Sequence, residues 1–195
     1  MNTSEEKRLM KTSSEYDSII TRCKTLFLKK AADYGTAWRI MRLPSITDQI
    51  FIKAQRIRTI EENKFAKIAD DIPSEYIGII NYCVIAMIQS ELPLDAEEDL
   101  PISQVESLYN QYVQETKELM LSKNHDYGEA WRDLRIGSLT DLILMKIYRV
   151  KQIEDNSGLT IVSEGVKANY QDMLNYAVFA LIKLTVSTEE KPINN

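Results

Sequence analysis

Residues 30–39 read KAADYGTAWR and residues 123–132 read KNHDYGEAWR. A shift of 93 residues carries the first stretch onto the second, and the match extends both ways. It reaches back to Tyr16/Tyr109 and forward through Arg42/Arg135, Ser45/Ser138, Thr47/Thr140, Asp48/Asp141, Lys53/Lys146, Arg56/Arg149 and Glu61/Glu154. One inserted residue later, Asn81-Tyr82 recurs as Asn175-Tyr176. Self-similarity at a fixed spacing marks an internal duplication, and it decides the fold before any single element is assigned. The acidic, proline-bounded stretch ELPLDAEEDLP (91–101) has the composition of a connection. The organisation expected is a first repeat over 1–92, a linker over 93–103 and a second repeat over 104–195.

Each copy reads as three helices. The first spans roughly 13–32 and 104–124, with Tyr109, Tyr112, Val113, Thr116 and Met120 as one apolar stripe. Gly35 and Gly128 stand where a left-handed C-terminal cap is wanted. The second helix is expected to begin at Ser45 or Ser138, because S-x-T-D resembles a capping box with Asp48 or Asp141 as its acid. The third covers roughly 74–90 and 164–186 and is apolar almost all round, as a buried helix should be. No sustained period-two alternation suggests strands. A three-helix unit of this size buries little alone. The expected fold is therefore all-α: a tandem duplication of a three-helix unit packed as one pseudo-two-fold bundle, the copies replacing the subunits of a homodimer.

Composition narrows the function. Of 195 residues, 44% are hydrophobic and 27% charged, ordinary values for a globular chain. A net charge of −5 argues against general nucleic-acid binding or attachment to an anionic membrane. No apolar run is long enough to span a bilayer. Cys23 and Cys83 lack disulfide or metal spacing, and neither recurs in the other copy, so both read as core residues in a reducing cytoplasm.

Helical wheels then show which charges are out of place. Lys146 falls inside the arc of Leu142, Ile143, Ile147, Val150 and Ile153; Arg149 sits on its border and Glu154 within it. Lys53, Arg56 and Glu61 repeat this among Ile50, Ala54, Ile57 and Ile60. A lysine on a core stripe needs a partner or an anion. Asp48 and Asp141 point the other way, which favours capping. Lys30 and Lys123 extend the stripe of the first helix at its C-terminal end, where a cation suits the helix dipole or turns toward the same pocket. In the third helix of the second copy, Glu164, Asp172 and Asn175 fall on neighbouring directions. The first copy has Gly78 in place of Asp172, with Asp70 or Asp71 standing for Glu164.

Each candidate has a structural alternative. Lys146 with Asp172 or Glu154 also reads as a core ion pair. Trp38/Trp131 and Tyr34/Tyr127 suit stacking on a base or closing the bundle. Arg132 and Arg135 suit phosphate or a pinned loop. The asparagine-tyrosine pair suits architecture, tying helix ends together. His125 faces Ala32 in the alignment and carries no expected role.

The segments K-N-H-D-Y-G-E-A-W-R (123–132), K-I-Y-R (146–149) and E-G-V-K-A-N-Y-Q-D-M-L-N-Y (164–176) resemble the nucleotide-modification-associated domain family, whose members include two-copy chains. The pattern is also similar, more faintly, to the all-helical MazG-type nucleoside triphosphate pyrophosphohydrolases. Those hold magnesium with acids on facing helices, although here Glu115 and Glu118 of the first helix project outward. The resemblance implies a nucleotide-binding protein and a magnesium-dependent phosphohydrolase reaction. Glu164, Asp172 and Asp126 would hold Mg²⁺, and Lys146, Arg149 and Lys123 would clamp phosphate oxygens. Tyr127, Arg132, Arg135, Asn175, Lys30, Asp33, Arg39, Lys53 and Arg56 complete the expected ligand-binding set. A non-catalytic nucleotide-binding module, a purely structural protein and a homo-oligomer are the other expectations.

Overall fold

The computed structural model describes residues 3–63, 71–92, 99–159 and 164–189. The described residues form six α-helices in the order α1 (Thr3–Tyr34), α2 (Leu43–Asn63), α3 (Ile72–Glu91), α4 (Ile102–Tyr127), α5 (Ile136–Asp155) and α6 (Val166–Glu189). Short 3₁₀ turns at Ala37–Ile40 and Ala130–Asp133 follow α1 and α4. The described residues hold no strand, and no described helix is long and apolar enough to cross a membrane. The linker expectation falls partly outside the described residues.

The duplication is visible in three-dimensional pairing. The apolar helices α3 and α6 pack on one another at the centre, α2 lies on α3 and α5 on α6, and α1 meets α4. Gly35 and Gly128 take the left-handed conformation at φ 63° and 60°, and their N–H groups bond back to Ala31 and Asn124 at 2.9 Å. These caps end α1 and α4 where the repeat motif predicts.

The capping-box reading is overturned. Both second helices begin two residues before their serines. The Ser45 and Ser138 N–H groups donate to the Arg42 and Arg135 carbonyls at 2.9 and 3.1 Å. Asp48 and Asp141 instead reach across the repeat, Asp48 to Lys151 at 2.6 Å and Asp141 to Arg58 at 3.8 Å.

Reciprocal bonds of this kind stitch the whole centre. Tyr16, Tyr76, Tyr109 and Tyr170 are fully buried, and a buried phenol must find a partner. Tyr16 donates to Asn175 Oδ1 at 3.1 Å, and its repeat mate Tyr109 donates to Asn81 Oδ1 at 2.9 Å. The two amides then donate within their own copies, Asn81 to the Cys23 carbonyl and Asn175 to the Thr116 carbonyl. Tyr170 shares a hydrogen bond with Thr47 at 2.7 Å, and Tyr76 with Thr140 at 2.8 Å. Thr47 also donates to Glu154, and Thr140 to Glu61. All four phenols thus reach into the opposite copy, as do the two threonine–glutamate bonds.

Those two glutamates carry a pH signature. Burial pushes the carboxyl groups of Glu61 and Glu154 above the usual carboxylate range, against the lowering effect of their threonine bonds. Between the ordinary and the raised pKa the folded chain keeps protons that the unfolded chain has released. Stability contributed at these sites therefore falls as pH rises through that window. Thermal melts of wild type and Glu61→Gln/Glu154→Gln between about pH 5 and about pH 7 should show a smaller pH dependence in the double variant. Equal slopes would remove these carboxyls as the source.

Candidate functional site

In the second copy the core-stripe lysine finds its partner. Lys146 lies with its side chain 10% exposed and its Nζ 2.6 Å from Asp172 Oδ2. Lys123, on α4, places its Nζ 2.6 Å from Asp172 Oδ1. One buried carboxylate thus takes an ammonium on each oxygen. Burial alone would depress the Lys123 pKa, but the hydrogen bond and charge of Asp172 raise it on balance. Such a charged triad is internally satisfied.

Glu164 acts on the Lys123 charge, and Arg149 acts on Tyr176 together with Asp172 and Lys123, but among the described residues neither forms an ion pair with the triad. Glu164 precedes α6, which starts at Val166, so the helical direction assigned to it beside Asp172 does not apply. Asp126 is 75% exposed and pairs with His125 at 3.2 Å. Among the described residues no three acids, histidines or cysteines gather as metal ligands, and both Asp172 oxygens are held by lysines. The donor set Glu164, Asp172 and Asp126 therefore does not fit Mg²⁺, which needs free carboxylate oxygens.

The Asn175 amide is taken up by Tyr16 and the Thr116 carbonyl. Arg132 is a pin: it donates to Glu129 at 3.0 Å, to Glu15 at 2.6 Å and to Thr12 at 2.5 Å. Thr12 closes the same knot on Glu129. Trp131 is buried and stacks on Phe179 at 4.2 Å, with Arg132 over its other face, so it closes the bundle. Tyr127, Arg135 and Arg149 are exposed.

The first copy is built from the same parts with a different outcome. Here Lys53 pairs with Glu75 Oε2 at 3.2 Å, and Arg56 bonds the other oxygen of the same carboxylate. Glu75 is buried and stands one helical turn before Gly78, the counterpart of Asp172. The sequence reading overlooked it. Its signal was present, since Glu75 is the sole acid between Asp71 and Glu91 on an apolar helix. Asp71 caps α3 by accepting from the Ser74 N–H at 2.9 Å, and Asp70 lies outside the described residues.

A cleft of about 560 Å³ opens between α1, the first 3₁₀ turn, α2 and α3, with Gly78 on its lining. Phe27, Tyr34, Trp38 and Tyr82 supply aromatic walls; Lys30, Lys53, Glu75 and Asn81 supply polar groups. Trp38 is only partly buried, unlike its mate Trp131. Lys30 has no ion pair among the described residues, whereas its counterpart Lys123 is bound to Asp172. Asp33 is exposed. Arg39 is buried and donates to Gln89 at 2.6 Å, while the Gln89 amide donates to the Arg39 and Met41 carbonyls. Beside it, Asp99 accepts from the backbone and hydroxyl of Thr36, which hold its pKa below the ordinary value. Gln89 and Asp99 thus fix the rim of the cleft.

Comparison with known proteins places these parts in a family. No curated protein and no solved structure matches the chain, so the fainter likeness to MazG-type pyrophosphohydrolases gains no support. The family model described as Nucleotide modification associated domain 1 matches residues 30–90 and 123–184, more than half of the chain. Each match begins at the lysine of the repeated motif and ends on the central helix of its copy, so the chain belongs to the Nucleotide modification associated domain 1 family and carries its domain twice.

Proposed function

We propose that this protein binds a small, ring-bearing anion of the nucleotide class in the cleft of its first copy. The observation that carries the reading is Lys30 without an ion pair among the described residues, at the edge of a cleft with aromatic walls. A lysine on an apolar, aromatic rim favours an oxyanion, and exposed ring faces favour a planar base. The cleft volume lies within the range of about 300–1,000 Å³ usual for small-molecule sites. The family's association with nucleotide modification agrees with that chemistry. The reading stops at binding, because the expected magnesium ligands do not converge and no hydrolytic step can be built on them.

Ribo- and deoxyribonucleoside mono- and triphosphates, titrated against the purified chain with and without Mg²⁺, test it directly. The expected result is a rise in melting temperature and a change in tryptophan fluorescence. Trp38 reports that change, since Trp131 is packed against Phe179. Lys30→Met should weaken binding about tenfold, the cost of one charge-assisted contact. Phosphate release followed in the same samples separates bound from hydrolysed nucleotide. The absence of any stabilisation or fluorescence change would end the reading.

A further inference from the structure

We infer that the ligand's anionic group seats over Gly78, between Lys30 and Lys53. That is the place which the Asp172 carboxylate fills between Lys123 and Lys146 in the second copy. The inference rests on the binding reading above and adds the anion seat and the residue that leaves it without a carboxylate of its own.

The two copies supply the comparison themselves. Lys30 matches Lys123, Lys53 matches Lys146 and Gly78 matches Asp172. In the second copy both ammonium groups close on the aspartate at 2.6 Å. In the first, removal of that side chain leaves Lys30 without a carboxylate among the described residues. Lys53 lies across the bare backbone: a Cβ built on Gly78 would stand 2.6 Å from Lys53 Cε and 3.0 Å from its Nζ. Its ammonium takes Glu75 instead, at 3.2 Å rather than 2.6 Å, and shares that carboxylate with Arg56. The crowding atoms belong to the far end of a flexible side chain, so Lys53 can withdraw when an oxyanion arrives. Gly78, Lys30 and Lys53 all line the cleft beside Trp38 and Tyr82. A phosphate over Gly78 would therefore leave the base of the same molecule within reach of the aromatic wall. Asp172 acts as a built-in occupant of the equivalent seat, and the second copy is closed by it.

Gly78→Asp transplants that occupant, and Gly78→Ala controls for the added Cβ; the poorer helix propensity of aspartate works against the expected difference, so a rise does not come from propensity. Both variants are melted at neutral pH in the full chain. Gly78→Asp should melt at least ~2 °C above Gly78→Ala, and Lys30→Met should cancel the difference. Inorganic phosphate, used as the probe of the seat, should stabilise wild type and leave Gly78→Asp unmoved. Nucleotides that stabilise wild type should likewise lose at least about tenfold in affinity for Gly78→Asp. If Gly78→Asp melts no higher than Gly78→Ala, there is no anion seat, whatever the ligand. If it melts higher but binds phosphate and nucleotides as wild type does, ligand anions do not use the seat. If the melting difference and the phosphate effect hold while no nucleotide binds wild type, the seat stands and the nucleotide reading fails.

Discussion

Replacing Asp172 with alanine should cost about 3–5 kcal/mol of unfolding free energy, the loss typical when one partner of a buried ion pair is removed. The melting temperature should fall by about 10 °C. The reason is the asymmetry of the triad. One carboxylate serves two ammonium groups, so its removal leaves two like charges side by side, with Lys146 almost wholly enclosed. Lys146→Met should behave very differently. Asp172 keeps Lys123, the methionine fills the same volume, and stability should stay within about 1 kcal/mol of wild type or rise. Urea denaturation of the two variants checks the contrast. A neutral Asp172→Ala would mean that both lysines escape to solvent, and the second copy would then not be braced by this cluster.

Asn175→Ala should cost about 2–3 kcal/mol, through a small cavity and one buried phenol left without its partner. The phenol is that of Tyr16, while the Thr116 carbonyl, inside α4, loses only a second bond. Asn81→Ala should cost a similar amount, because the Tyr109 hydroxyl and the Cys23 carbonyl are its partners in the same arrangement. Denaturant midpoints at unchanged slope are the measurement. Losses under about 1 kcal/mol in either variant would show that water replaces the amide and that these cross-copy bonds are not sealed.

The fold was legible because a duplication announces itself at every level. The matched motifs set the boundaries, the paired glycines end the first helices, and the nearly all-apolar helices go to the centre. What local pattern could not supply was the partner in the other copy. Glu61 and Glu154 read correctly as inward-facing, yet Thr140 and Thr47 lie 79 and 107 residues away in sequence. Asp48 and Asp141 resembled caps because the wheel sees one helix, whereas Lys151 and Arg58 approach from its neighbour. Glu164 lies before the first residue of α6, so a helical wheel does not fix its direction, yet its carboxylate acts on the charge of Lys123 beside Asp172. Glu75 was missed because the alignment sought an acid at the position of Asp172 or Glu164, and the first copy puts its acid one turn along. The same fixation on carboxylates directed attention to the second copy. There Asp172 alone holds both lysines, whereas Gly78, its counterpart, offers Lys30 and Lys53 no carboxylate.

In a dimer of identical chains, Gly78 and Asp172 would be encoded by one codon, and any change would strike both halves together. Joining the halves in a single gene lifts that constraint. One half can be held as a permanent brace while the other drifts toward a guest, and each new guest can be tried without loosening the frame.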